Sequence, residues 1–445
     1  MSTETKIEKP KKEKPANLVI PPPKPKLSKA ERRAIQEQQR AAKSALQQGN
    51  QGGGKPPTNE QNKSASSTTK QPKQQPANQP ADTPKTATTR PCDGGLVSHL
   101  KAHQNPELLF ETGATLKASI GVDTAQLHPA VVETGYRFAT GQIRGGNARC
   151  RAMLETFAAI LPDYVSASNP TDEDFRQTLD QVILKPAFTY WTEHCRPHSV
   201  SMGNAFTFLK TAVASLDRDL DPMAYVDKLQ ESIHAYERER IEYAMAAIAD
   251  LTCQKLLRDR DEVLLVYGHS EVITKILEGA VSTCRQLRVI LVDSRPLLEG
   301  KKQLEKIREL GIPCSYILLN AVTYVFQDVT KVLLGTAAMM SDGSVMGRVG
   351  TASVAMAAAA HNIPVLVCGE TYKISNRVQL ESITNNELGD PNLVSTDGDT
   401  ANFKRLNLLY DLTPASFVSG IVTELGIVPP TSIAVLLREM NPQEK

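Results

Sequence analysis

Several chemistries are missing from this sequence. Only seven cysteines occur in 445 residues, scattered, with no CxxC pair and no CxxC…HxxxH spacing. That excludes a disulfide framework and a zinc site, and no metal is expected. Nothing approaches the ~18 consecutive apolar residues of a membrane span. The Lys/Glu/Pro-rich beginning has no apolar core and so does not read as a secretory signal. These absences predict a soluble chain in a reducing compartment, without a membrane contact. No GxGxxG and no GxxxxGK[ST] is found, so the standard dinucleotide and P-loop readings fail and no cofactor is expected. His198 has no Ser or Cys in a triad-like context, which argues against a hydrolase.

Charge is present but unevenly spread. Residues 1–90 hold 18 Lys and Arg against 7 Asp and Glu, a net of +11, which leaves −9 for the rest of a chain whose formal charge is +2. This first stretch is rich in Lys, Pro, Gln, Ser and Thr, too poor in apolar side chains to offset the entropy of ordering, and is expected to be disordered. One short helix is expected near 28–48, where Ser28-Lys-Ala-Glu31 has the capping-box pattern. A basic tail can hold RNA through phosphates. It can equally be a solubilising extension, since it contains no aromatic residue on which bases would stack.

Residues 91–258 read as a helical domain. His128-Pro129 opens a helix. Cys150, Met153, Leu154, Phe157 and Ile160 recur at the spacing of one buried helical face. A second such pattern spans Phe175 to Trp191 and is expected to break near Pro186. A longer helix, from about 222 to 257, has the core stripe Val226, Leu229, Ile233, Ala244, Ile248 and Leu251, joined by Tyr236 or Ile241. At ~100° per residue, Glu239 and Tyr243, with Arg240 beside them, point away from that stripe.

From 259 to 445 the pattern alternates. Val263–Gly268, Val289–Asp293, Tyr316–Asn320, Val332–Gly335 and Pro364–Cys368 are continuous apolar runs, as strands buried on both faces require. Helix-like segments at 270–285, 299–310 and 352–360 separate some of them. The fold class is therefore α/β: a helical domain, then a Rossmann-like, doubly wound, mostly parallel sheet. Ile374 to Ala401 reads as a long loop, followed by a strand near 407–410 and a helix from Ala415 closed by Gly426. Such a sheet places its ligand crevice at the carboxyl ends of its strands. Gly268 and Ala337, which stand there, can act neither as nucleophile nor as acid or base.

The remaining motifs have two readings each. Gly335 to Thr351, with Arg348 inside it, either offers backbone N–H groups and a guanidinium to an anion or is a tight strand–helix crossover. Arg144-Gly-Gly146 and Arg196-Pro-His198 either clamp a phosphate or form structural ion pairs. Asp293 is expected to order its own loop by accepting hydrogen bonds from Ser294 and Arg295.

Together, Ile143-Arg-Gly-Gly146, Arg196-Pro-His-Ser-Val200, Val266-Tyr-Gly268, Asp293-Ser-Arg-Pro296, Gly343 to Thr351, Tyr410-Asp-Leu-Thr-Pro414 and Thr423-Glu-Leu-Gly426 resemble one superfamily. It comprises the regulatory subunits of eukaryotic translation initiation factor 2B and the related methylthioribose-phosphate and ribose-bisphosphate isomerases. The resemblance covers Pro129 to Arg438. Cys195 to Asn204 and the basic 28–48 helix are most similar to the delta-type members. The resemblance implies that the isomerases' relay cysteine and aspartate correspond to Gly268 and Ala337, and their Asn-Lys pair to Gly347-Arg348, so no catalytic residue is expected. It makes Arg144, Arg196 and Arg348 a vestigial phosphate site. It further implies a cytosolic, non-catalytic regulatory subunit of the exchange complex, joined to alpha, beta, gamma and epsilon subunits and pairing with beta. Through Glu239, Arg240 and Tyr243 such a subunit would touch the alpha subunit of initiation factor 2, phosphorylated or not. Phe417-Val418 and Ile421-Val422 are the expected beta-facing residues. The alternative is an isomerase-like protein that binds a sugar phosphate.

Overall fold

A computed structural model describes residues 126–168, 175–217, 221–398 and 403–440. The basic tail expected over 1–90, with its helix, lies outside the described residues.

Helices come first. His128 accepts a hydrogen bond from Ala130 N–H at 3.2 Å and Pro129 takes the first turn of α1 (Pro129–Ala139), whose missing donor costs nothing there. Then follow α2 (Gly146–Ser168) and α3, a continuous run over 175–195 in which π-helical turns at Leu179–Leu184 and Tyr190–Cys195 alternate with α turns. Pro186 does not break α3 as the sequence suggested. It sits in the first turn of the α segment Lys185–Thr189, where the hydrogen-bond register has just changed from π to α. Helix α4 (Val200–Ser215) and the run α5 over 222–257 complete the set, α5 carrying a π turn at Glu237–Tyr243. Their core is centred on Trp191, fully buried, edge-on to Phe138 at 6.0 Å and Phe157 at 5.2 Å, with its indole N–H donating to Val131 O at 2.8 Å. Five of the six stripe residues on α5 are buried, Leu251 is half-buried, and both Tyr236 and Ile241 join the core.

The strands begin at β1 (Asp261–Tyr267), followed by α6 (Glu271–Thr283), β2 (Gln286–Asp293), α7 (Gly300–Glu309), β3 (Cys314–Leu318) and β4 (Lys331–Gly335). The stretch after β4 is not a plain crossover. It forms a hairpin, β5 (Ala338–Met340) and β6 (Val345–Arg348), before α8 (Thr351–Ala360) and β7 (Val365–Cys368). After β8 (Ile374–Ser375) a long strap, described over 376–398 and 403–409, leads to β9 (Tyr410–Thr413). The helix expected from Ala415 is absent. A single 3-10 turn leads instead to the hairpin of β10 (Gly420–Thr423) and β11 (Gly426–Val428), followed by α9 (Ile433–Met440). Gly420 and the β-branched run behind it favour strand over helix.

The main sheet has the order β11-β10-β7-β4-β1-β2-β3, parallel except for β11. Counting only parallel strands, this is the doubly wound order 3-2-1-4-5-6, with its switch point between β1 and β4. Strands β8, β5, β6 and β9 make a second, smaller sheet. One face of the main sheet packs under α6, α7 and the end of α5, and the other under α8 and α9. Val418, Ile421 and Val422 are buried inside these cores, so three of the four residues expected to face a beta subunit are consumed within the chain. A buried polar seam stitches helices to sheet. Glu370 accepts from the Asn147 amide at 2.7 Å and ion-pairs with Lys373 at 2.6 Å, Tyr372 donates to Asn147 Oδ1 at 2.7 Å, and Asn204 donates to Tyr372 O and Ile374 O.

Candidate functional site

At the switch point, beyond the carboxyl ends of β1 and β4, lies a cavity of about 540 Å³. Tyr267 and His269 leave β1 into it, Gly335 and Ala337 leave β4, and Arg144 and Arg196 reach in from the helical side. Gly268 has φ +60°, its N–H donates to Val292 O at 2.9 Å, and no heavy atom lies within 4 Å of where a Cβ would stand. The position has room for a reactive side chain and carries none. Ala337 contributes a methyl group, with its N–H held by Met346 O at 2.9 Å. His269, which the sequence did not single out, has Nδ1 at 3.0 Å from Gln303 Oε1, and burial lowers its pKa.

The structure brings Arg144, Arg196 and Arg348 to the wall of this cavity and pairs all three internally. Arg348 is bidentate on Glu299, at 2.7 and 2.8 Å, with its guanidinium 5.1 Å above the Tyr410 ring. Arg144 lies 3.7 Å from the same carboxylate and donates from Nε to Gly141 O at 2.7 Å. Arg196 Nε donates to Glu387 at 2.9 Å. The ion-pair reading of these turns is therefore correct for this conformation. The sequence missed Arg149, which is 1% exposed, donates to Pro197 O at 2.5 Å and has Nη1 3.6 Å from Glu387. Burial, and then the neighbouring Arg196, lowers its pKa to about 10. Glu387 projects from the strap, which also walls a second cavity of about 450 Å³ on the other side of Arg196.

Carboxylates fill the helix starts as well. Asp411 accepts from Gly350 N–H at 2.7 Å and Ala352 N–H at 3.0 Å, capping α8, while burial raises its own pKa to about 6. Gly350, at φ +107°, lets the chain pass the Tyr267 hydroxyl, which would lie 2.2 Å from a Cβ. Asp293 accepts from Ser294 N–H and Tyr316 OH, both at 2.8 Å, and its carboxyl lies against Gly300 at the start of α7. Its loop-ordering role toward Ser294 is as expected.

On α5 the π turn holds Ile241 in the core and turns Glu239, Arg240 and Tyr243 to solvent, Tyr243 being 60% exposed. Their side chains form no hydrogen bond or ion pair among the described residues. His198, half-buried, lies against the Phe188 ring at 5.4 Å. Among the described residues no group of three His, Cys, Asp or Glu is placed to hold a metal, and no helix is long and apolar enough to cross a membrane.

The model of the initiation factor 2 subunit family matches residues 142–430, from the Arg144 turn to the end of the sheet. The chain belongs to that family. This member is similar to the translation initiation factor eIF2B subunit delta of Dictyostelium discoideum, 36% identical over 77% of this chain, and spans 56% of that protein's length. It is also similar to a ribose 1,5-bisphosphate isomerase of Haloferax volcanii, 28% identical over 71% of this chain and 94% of the enzyme. A solved chain from the tetrameric eIF2B-beta2-delta2 complex of C. thermophilum superposes with a TM-score of 0.63 at 27% identity, covering 74% of this chain and 97% of that one. The family member therefore shares its scaffold with sugar-phosphate isomerases, and its switch-point crevice carries Gly268 and Ala337.

Proposed function

We propose that this family member is a non-catalytic, delta-type regulatory subunit of the initiation factor 2B guanine nucleotide exchange complex, acting in the cytosol. One observation carries the reading: at the carboxyl ends of β1 and β4, at the switch point of an isomerase-like scaffold, Gly268 and Ala337 supply no thiol, carboxylate or other proton carrier. Surfaces are then left as the working parts. The resemblance to delta subunits supports assembly with alpha, beta, gamma and epsilon chains, and pairing with beta, as in the C. thermophilum complex. The solvent-facing Glu239, Arg240 and Tyr243 on the π turn of α5 are the proposed contact with the alpha subunit of initiation factor 2, through which its phosphorylation is sensed. Reconstitution tests this. The full chain should co-purify with its four partner subunits, and leaving it out should abolish inhibition of exchange by phosphorylated factor 2.

The second reading, an anion-binding relic of the isomerases, is favoured by the convergence of Arg144, Arg196 and Arg348 on one cavity. It predicts saturable binding of a phosphate monoester without turnover. Detectable conversion of ribose 1,5-bisphosphate by the pure chain would overturn both readings.

A further inference from the structure

Of four clustered guanidiniums, those of Arg144, Arg196 and Arg348 line both cavities and that of Arg149 lies buried behind them, and two carboxylates, Glu299 and Glu387, answer them. Glu299 is matched to Arg348 in fork geometry, the strong form of this pair. Glu387 is spread across Arg149 and Arg196, one oxygen to each, at 3.6 and 2.9 Å. Arg149 Nε and Nη1 form no hydrogen bond although both are buried. A structural ion pair selected for stability would match one charge with one and satisfy the fork. This arrangement is overcharged and under-bonded, and each oxygen of its carboxylate faces one guanidinium, as oxygens of a phosphate can.

Glu387 also stands on a segment that is fastened at its backbone. Leu409 N–H donates to Glu387 O at 3.0 Å, and Asn386 bonds Tyr410 through both its amide groups, at 2.7 and 3.1 Å. The strap therefore aims this carboxylate at the two arginines, of which Arg196 also lines the 450 Å³ cavity.

The geometry points to Glu387 as a tethered competitor: its carboxylate holds the Arg149–Arg196 seat against free phosphate monoesters, which enter only when that side chain is withdrawn. The inference rests on reading the arginines as an anion seat. It adds that the seat is shut by the chain's own strap.

The test is thermal unfolding of the full chain with inorganic phosphate, against chloride at equal ionic strength. Wild type should show the same Tm in both salts. Glu387→Gln, which leaves two buried guanidiniums unanswered, should unfold earlier in chloride. It should gain about 2 °C in phosphate at ten times its dissociation constant. Glu387→Asp keeps the charge but draws it back by one methylene, so it folds even if the Gln variant does not. It should show the same gain in smaller measure. Adding Arg196→Met should abolish the gain in either. If neither Glu387 variant gains over chloride while wild type does, and Arg196→Met removes that effect, the seat is real and the lock is wrong. If no variant responds to phosphate, the anion-seat reading falls together with the lock.

Discussion

In the crevice, Arg348 and Arg196 each lie on a carboxylate of their own chain, and Lys373 on Glu370; on the outer turn of α5, Glu239, Arg240 and Tyr243 reach solvent with no such partner among the described residues. Both regions are rich in charge. In the first, charges are desolvated, so each exists only because another compensates it, and removing one strands the other. In the second, water already solvates each group, so a substitution costs the fold little and is felt by whatever docks there. The crevice charges are answered within the chain, while those on the α5 turn are left to solvent.

The contrast is sharpest at Glu370, which is fully buried with Lys373 and the Asn147 amide on it. Glu370→Ala should cost about 3–5 kcal/mol, read as a lowered denaturant midpoint, because it leaves an ammonium buried without a counter-charge. The double replacement Glu370→Met with Lys373→Met should recover most of that loss. A single variant within ~1 kcal/mol of wild type would show that these charges are solvated after all, and the distinction between the two regions would go with it.

Asp411 gives the next effect. Burial holds its folded pKa near 6 against 3.8 for the free group, so the folded chain binds this proton more tightly than the unfolded one. The cost is thus fully present above about pH 6 and is relieved as pH falls toward the unfolded value. Asp411→Asn, which can still accept from Gly350 and Ala352, should be more stable than wild type by about 2 kcal/mol at pH 7.5. The gap should narrow by roughly half at pH 5, as linkage requires. Equal midpoints at both pH values would mean that the carboxylate is well solvated.

Smaller again is Gly268→Cys. Its φ of +60° penalises a side chain by about 1–2 kcal/mol, although the space beyond is open. The variant should fold, lose about that much stability, and still fail to convert ribose 1,5-bisphosphate, since Ala337 supplies no second group. Turnover by this variant would move the crevice from scaffold back to enzyme.

How much of this was legible depended on separation along the chain. The five apolar runs became β1, β2, β3, β4 and β7 because a strand buried on both faces needs no partner to be recognised. Of the second sheet only β9 was foreshadowed, by the strand expected near 407–410: β5, β6 and β8 are two to four residues long and cannot show a period. The segment after Ala415, expected as helix, is strand because its β-branched run pairs with β7 and β11. Arg144, Arg196 and Arg348 were found through their glycine and proline turns. Arg149 was hidden within a helical pattern, and Glu387 lies in a strap without periodicity, 191 residues from the arginine it bonds. Sequence spacing reports local geometry, and a site closed by a distant loop has none to report.

The smallest effect on the fold should come from Glu239→Lys. The residue is exposed, sits on a turn whose one buried side chain is Ile241, and has no hydrogen bond or ion pair to lose among the described residues, so stability should stay within ~0.5 kcal/mol. Affinity of the reconstituted complex for the alpha subunit of factor 2 should nevertheless fall, by about five- to tenfold, as an interfacial charge reversal does. Tyr243→Ala, removing the exposed ring one helical turn away, should act in the same direction while Arg348→Lys, inside the crevice, leaves that affinity unchanged. Binding isotherms for the three variants decide the matter. If the crevice variant weakens binding and the two α5 variants do not, the recognition surface is on the other side of the molecule, and the division of labour drawn between the two regions is reversed.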